Sequence, residues 1–267
     1  YNVIQAAHAK PINPTDLSHE EFLDFFRDPT SSWRPYQAGL PWYADFAPNR
    51  QLKDIIRNLD ISGSDENKIA YITSEPGAGG TTLAHNLAWE MASQGYPTLV
   101  AKKVPFTPNP VSIGNFLKLT SEKIQSQRPQ SNGGRSDRNT TKSTDPATKE
   151  RRYETPWVLV FDRVHWDYRE GDLRRFCNDL KAQGRPICIL VVSGPVRPLE
   201  FFDENTFKEL SNVRNTVGLE DTLNLGRHLN GFLKNYGRDK PEYMWRNFYS
   251  KHTPEGLHGL AVFWVSL

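Results

Sequence analysis

Ser74-Glu75-Pro76-Gly77-Ala78-Gly79-Gly80-Thr81-Thr82 decides the reading of this chain. The run Lys68 to Thr73 before it predicts a buried strand. Gly80 to Gln94 after it predicts a helix, with Leu83, Leu87 and Met91 on one stripe and Gly95 as its stop. A strand, a glycine turn and a helix are the context required by the phosphate-cradling pattern G-x-x-x-x-G-K-[ST]. Ser74 stands at the first glycine of that pattern, Gly79 at the second, Gly80 at the lysine and Thr81 at the hydroxyl position. Gly77, Gly79 and Gly80 suit a backbone that must curl around phosphates with its N–H groups pointing inward. The helix N-terminus adds a favourable dipole. Pro76, Ala78 and Thr82 complete the candidate cofactor-binding loop, and Thr81 can offer its hydroxyl to Mg²⁺. The lysine's absence removes a charge worth about 2–3 kcal/mol as a charge-assisted hydrogen bond. Arg50, Arg197 or a partner subunit are candidates to replace it.

Three further pieces gather around this loop. Val158-Leu159-Val160-Phe161-Asp162 is an apolar run ending in a carboxylate, the arrangement that holds a Mg²⁺ shell, and Asp162 is the candidate catalytic and metal residue. Ile189 to Val192 reads as a neighbouring strand that ends on Ser193, placed to sense a terminal phosphate. Arg197, a few residues on, is either a phosphate contact with paired donors or an ordinary surface arginine. Asn49 and Arg50 open the helix that precedes the loop's strand and are the fourth piece. His165 and Asp167 are open to two readings, a substitute base or packing and surface residues.

The alternation of elements predicts an α/β fold, a three-layer sandwich with a central parallel sheet. Helices are expected over 50–59, 113–125 and 171–183, and further strands over 98–104, 157–161, 187–192 and 213–219. Residues 1–48 form a Trp- and Pro-rich lead-in. Its short helix, 18–27, starts at a Ser18/Glu21 capping box, and an extended aromatic segment follows from Pro29 to Pro48. The core spans 49–220. Within it, 126–155 is polar and mildly basic and reads as a mobile insertion. From 221 to 267 the pattern is helical, with helices expected from 221 onward, over 242–250 and over 256–267, forming a small C-terminal subdomain.

The 267 residues carry 33 basic and 31 acidic side chains, a balance that gives no general argument for nucleic-acid or membrane binding. No apolar run approaches the ~20 residues of a membrane span. The two cysteines, Cys177 and Cys188, lack metal-ligand spacing and lie in apolar segments, which points to buried reduced thiols and a cytoplasmic protein. The first residue is Tyr1 and the last segment is apolar, so the sequence reads as a piece of a larger protein that continues beyond the helical subdomain.

Taken together these pieces resemble a STAND-class P-loop NTPase. Phe46-Ala47-Pro48-Asn49-Arg50-Gln51-Leu52 is similar to the F-x-G-R-E-x-x-L segment of that class, with Asn49 for Gly and Gln51 for Glu. Pro76 to Ala84 resembles the P-G-x-G-G-T-T-L-A loop of one branch. That branch includes vertebrate antiviral proteins with a sterile-alpha-motif domain and bacterial anti-phage relatives. The resemblance implies ATP or ADP with Mg²⁺ as ligand and self-association through the NTPase module. It also implies flanking sensor and effector domains and a viral protein or nucleic acid as trigger. Arg163 stands where hydrolysing relatives carry a second carboxylate, so slow or absent turnover is implied. Two other readings stay open: a scaffold that no longer binds nucleotide, and a nucleic-acid module using the basic insertion.

Overall fold

A computed structural model describes residues 2–3, 10–42, 47–62, 68–101, 108–127, 156–162, 170–183, 187–193, 207–214, 216–252 and 258–259. Its centre is a six-stranded sheet. The strands are β1 (Asn2–Val3), β2 (Lys68–Ser74), β3 (Thr98–Val100), β4 (Trp157–Asp162), β5 (Ile187–Ser193) and β6 (Phe207–Val213), in the order β1-β3-β4-β5-β2-β6. All neighbours from β3 to β6 pair in parallel, and β1 adds an antiparallel edge. β4 and β5 are buried on both faces, as the continuous apolar runs Trp157–Phe161 and Ile187–Val192 require.

The helices are α1 (His19–Arg27), α2 (Arg34–Gln37), α3 (Ala47–Ser62), α4 (Gly80–Ser93), α5 (Pro110–Gln127), α6 (Glu170–Lys181), α7 (Leu219–Leu233) and α8 (Glu242–His252). Alternating strand residues feed two cores. Ala70, Ile72, Val158, Val160, Leu190 and Val192 pack with α3 and α4 on one face. Ile69, Leu159, Phe161, Ile189 and Val191 pack with α5 and α6 on the other. This is the expected three-layer sandwich.

The lead-in closes over α4. The Ser18/Glu21 capping box is formed as read, with Ser18 N–H donating to Glu21 Oε2 at 2.9 Å and Glu21 N–H donating to Ser18 Oγ at 3.1 Å. The segment expected to be extended contains the single turn α2, which carries Tyr36 into the core beside Trp33. Their rings lie against His85, and α4 is therefore buried well beyond its Leu83/Leu87/Met91 stripe. On its other side the lead-in meets α7 and the 3-10 turn Lys234–Tyr236 that follows it. Tyr236 Oη donates to the Leu17 carbonyl at 2.8 Å, His228 Nε2 donates to the Leu40 carbonyl at 2.9 Å, and Phe22 packs on Phe232 and Tyr236. α7 and α8 follow the core as the expected helical region, in contact where Gly226 faces the Trp245 ring.

Three further expectations change. The last strand of the main sheet is β6, over Phe207–Val213, instead of 213–219. Thr216–Val217 (β7) pairs antiparallel with His258–Gly259 (β8) in a separate small sheet, and Leu219 already begins α7. A helix over 256–267 is therefore interrupted at β8, and the rest of that span lies outside the described residues. β6 escapes a pattern reading because it is an edge strand. Its Lys208, Glu209, Ser211 and Asn212 are polar, and the register against β2 jumps from Tyr71↔Glu209 to Ile72↔Ser211, a bulge at the buried Leu210. Residues 128–155 of the expected insertion lie outside the described residues, whereas 126 and 127 complete α5.

Candidate functional site

Strand order builds the site. β2 delivers the chain to the turn at its carboxyl end, and β5 lies between β2 and β4. In an open parallel sheet the crevice beyond the carboxyl ends of the strands is where ligands bind. Ser74, Asp162 and Ser193 end three adjacent strands on that rim, with Thr73 in register with Ser193 and Val192 with Asp162.

The turn has the backbone its glycines predict. Gly77 (φ 74°) and Gly79 (φ 88°) adopt the left-handed region, where L side chains are strained. Ala78 N–H donates to the Glu75 carbonyl at 3.1 Å, and Glu75 N–H donates to the Val213 carbonyl at 3.0 Å, tying the loop to β6. Gly79 caps α4 without any side-chain bond, its carbonyl accepting from Leu83 N–H at 2.9 Å. The N–H groups of the first turn have no carbonyl partner within a helix, and they carry its positive end. Space at Gly79 is open, since a Cβ there would meet nothing within 4 Å. Pro76 and Gly77 are exposed, Ala78 is buried, and Thr81 and Thr82 are half-buried at the start of α4.

The decisive contact joins this turn to β4. Thr81 Oγ1 donates to Asp162 Oδ2 at 2.5 Å, across 81 residues of sequence, and Asp162 is only 3% exposed. A hydroxyl and a carboxylate side by side at a helix N-terminus are hard oxygen donors of the kind Mg²⁺ takes beside phosphates. The residues present thus fit a magnesium–nucleotide pair: Thr81 and Asp162 for the ion, the turn from Pro76 to Thr82 for the phosphates.

The other candidates are less closely gathered. Ser193 ends β5 on the same rim. Asn49 and Arg50 lie in the first turn of α3, and Arg50 is exposed. Three residues on, Lys53 Nζ pairs with Glu90 Oε2 at 3.2 Å. Glu90 is ten residues along α4 from Gly80, a rise of roughly 15 Å. Arg163, His165, Asp167 and Arg197 lie outside the described residues. Two partners on the rim were not read from the sequence. Thr73 Oγ1 donates to Glu209 Oε1 of β6 at 2.9 Å, and Ser74 packs against Gly80. The first was hidden with β6 itself, whereas the second had a signal, the departures at Ser74 and Gly80 in one loop.

The sequence model of the family described as Novel STAND NTPase 7 matches residues 56–267. This chain is a STAND NTPase. No curated protein sequence matches it. Among solved structures this STAND chain is similar to the Thermotoga maritima RuvB Holliday junction branch migration motor, at 13% identity and a TM-score of 0.37, covering 70% of this chain and 50% of that one. It is similar to the Aeropyrum pernix ORC2 protein in its ADPNP-ADP complexes, at 15% identity and a TM-score of 0.40, covering 69% and 50%. It is also similar to a chain of the E. coli MS115-1 HORMA:CdnC:Trip13 complex, at 10% identity and a TM-score of 0.38, covering 84% and 91%. The STAND chain spans about half the length of the first two. All three scores are below 0.5, and the fold of this NTPase rests on its own strand order. The lead-in before residue 56 falls outside the family match. Among the described residues no helix is long and apolar enough to cross a membrane, and no cluster of three or more His, Cys, Asp or Glu could hold a metal.

Proposed function

We propose that this STAND NTPase is the nucleotide-binding switch of a larger cytoplasmic defence protein, in which ATP or ADP with Mg²⁺ sets an assembly state and turnover is slow or absent. The observation that carries the reading is the bond from Thr81 Oγ1 to Asp162 Oδ2 at the N-terminus of α4. In this reading the backbone N–H groups of Gly77 and of Gly79 to Thr82 hold the phosphates, Thr81 and Asp162 hold the Mg²⁺ shell, and Ser193 senses the terminal phosphate. Mg²⁺ supplies charge neutralisation between the phosphate oxygens when bound. Arg50, Arg197 or a second copy of the module supplies the cation that position 80 lacks.

Slow turnover follows from chemistry. Phosphoryl transfer relies on positioning and on charges around the transferring group. A loop without its lysine, with Arg163 after Asp162, is better equipped to hold a nucleotide than to cleave it. STAND relatives oligomerise, which supports self-association as the output. The antiviral or anti-phage role and the flanking sensor and effector domains come from the P-G-x-G-G-T-T-L-A resemblance.

Isothermal titration calorimetry on the folded chain with ATP and with ADP, each with Mg²⁺, tests the proposal. Saturable binding of either nucleotide with negligible phosphate release is expected. Absence of binding by both sinks it in favour of the second reading, a scaffold that kept the fold, which the closed packing at Gly80 favours.

A further inference from the structure

We infer that Ser74 and Gly80 form a coupled steric pair that shuts the lysine position, making Ser74 the residue that determines how the loop grips its ligand. The two departures from G-x-x-x-x-G-K-[ST] are then one departure. A Cβ on Gly80 would lie 2.5 Å from Ser74 Oγ, closer still to Ser74 Cβ, and 3.5 Å from Val192 Cγ1. Rotation about χ1 can move the hydroxyl, but Ser74 Cβ is fixed to the backbone of β2. The hydroxyl is also held, donating to the Glu75 carbonyl at 3.0 Å.

The reason for glycine at 80 differs from the reason at 77 and 79. Those two glycines have positive φ, and Gly80 is not among the positive-φ residues. Gly79 has open space where a Cβ would go; Gly80 has none. Position 80 is glycine because Ser74 has taken its room. In the common pattern the first position is bare and the seventh carries the long cationic side chain. Here the side chain is on the first position and the seventh is bare. The grip consequently falls to backbone N–H groups, the α4 dipole and Thr81.

The inference rests on the nucleotide reading for its functional part, and two experiments separate the parts. The first is thermal unfolding without nucleotide of wild type, S74G, G80A and S74G/G80A. A glycine-to-alanine change in a helix ordinarily stabilises. G80A is expected to lower Tm by several degrees with Ser74 present, and to leave it unchanged or raise it in the S74G background. Equal G80A shifts in the two backgrounds overturn the pair. The second is binding of fluorescent ATP and ADP analogues to wild type, G80K and S74G/G80K. G80K alone is expected to lose binding. S74G/G80K is expected to bind roughly tenfold or more tighter than wild type, the effect of one added charge-assisted bond. G80K binding as tightly as S74G/G80K overturns the inference. If no variant binds any analogue, the nucleotide reading falls and the unfolding series alone decides the steric pair.

Discussion

The Trp33 indole stacks on the His85 imidazole, with ring centroids 5.4 Å apart and planes 22° from parallel. His85 is four residues beyond Thr81 on α4. A lead-in that precedes the family's matched region thus sits directly on the helix that follows the glycine-rich turn. Trp33 is nearly buried, and truncating a buried tryptophan costs about 3–5 kcal/mol. Trp33→Ala is expected to lower the thermal midpoint of the whole chain in one cooperative transition. A midpoint within a degree of wild type would mean the lead-in is dispensable to the core.

Thr81→Ala removes one partner of the buried Asp162 carboxylate. Taking a hydrogen-bond partner from a buried acceptor costs about 1–3 kcal/mol. The variant should be destabilised without any nucleotide, by urea unfolding, and should lose the Mg²⁺ dependence of nucleotide binding. Unchanged stability together with unchanged Mg²⁺ dependence would remove Thr81 from the proposed site.

His228 makes stability fall in mild acid. Burial pushes its pKa below the ordinary value near 6.5, and the bond to the Leu40 carbonyl opposes that only in part. The unfolded chain therefore takes up the proton first. The contribution of neutral His228 is complete above about pH 6.5 and is lost as pH falls through the lower folded value. His228→Gln keeps a donor for Leu40 and cannot titrate. Wild type should lose stability relative to this variant between about pH 7 and pH 5, by urea midpoints, and parallel curves would refute the assignment.

Cys177 and Cys188 are buried thiols, and burial pushes each up to about 12. The thiolate is the nucleophile. Neither cysteine should react with a thiol reagent while the chain is folded, and both should react in denaturant. Fast labelling of the native protein would contradict the packing of β5 and α6.

The sequence made the centre of this fold legible because its central strands and its loop obey short-range rules. Trp157–Phe161 and Ile187–Val192 are apolar because both faces are covered, and Gly77 and Gly79 are glycine because φ demands it. The capping box at Ser18 and Glu21 is a contact within four residues and was equally visible. What failed depended on partners far along the chain. β6 is strand because β2 offers it an open edge, and its polar residues carry no core pattern. Trp33 announced burial but not its neighbour His85. At the site, Thr81 and Asp162 could be nominated separately, whereas the packing of Ser74 on Gly80 needed the loop's actual curl.

The lead-in also has a mechanical consequence. It is fastened to the 3-10 turn that follows α7 through Leu17 and Tyr236, and to α4 through Trp33 and His85. Only fifteen residues lie between the two fastenings. Drawing α7 away from α4 therefore strains the lead-in together with the core that both helices pack into. A further bond, from His228 to Leu40, lies beyond both and shares the load on the α7 side. Protonating His228 keeps the Nε2–H donor to the Leu40 carbonyl but puts a charge in a partly buried site, so acid loosens that side through lost solvation and not through a lost bond.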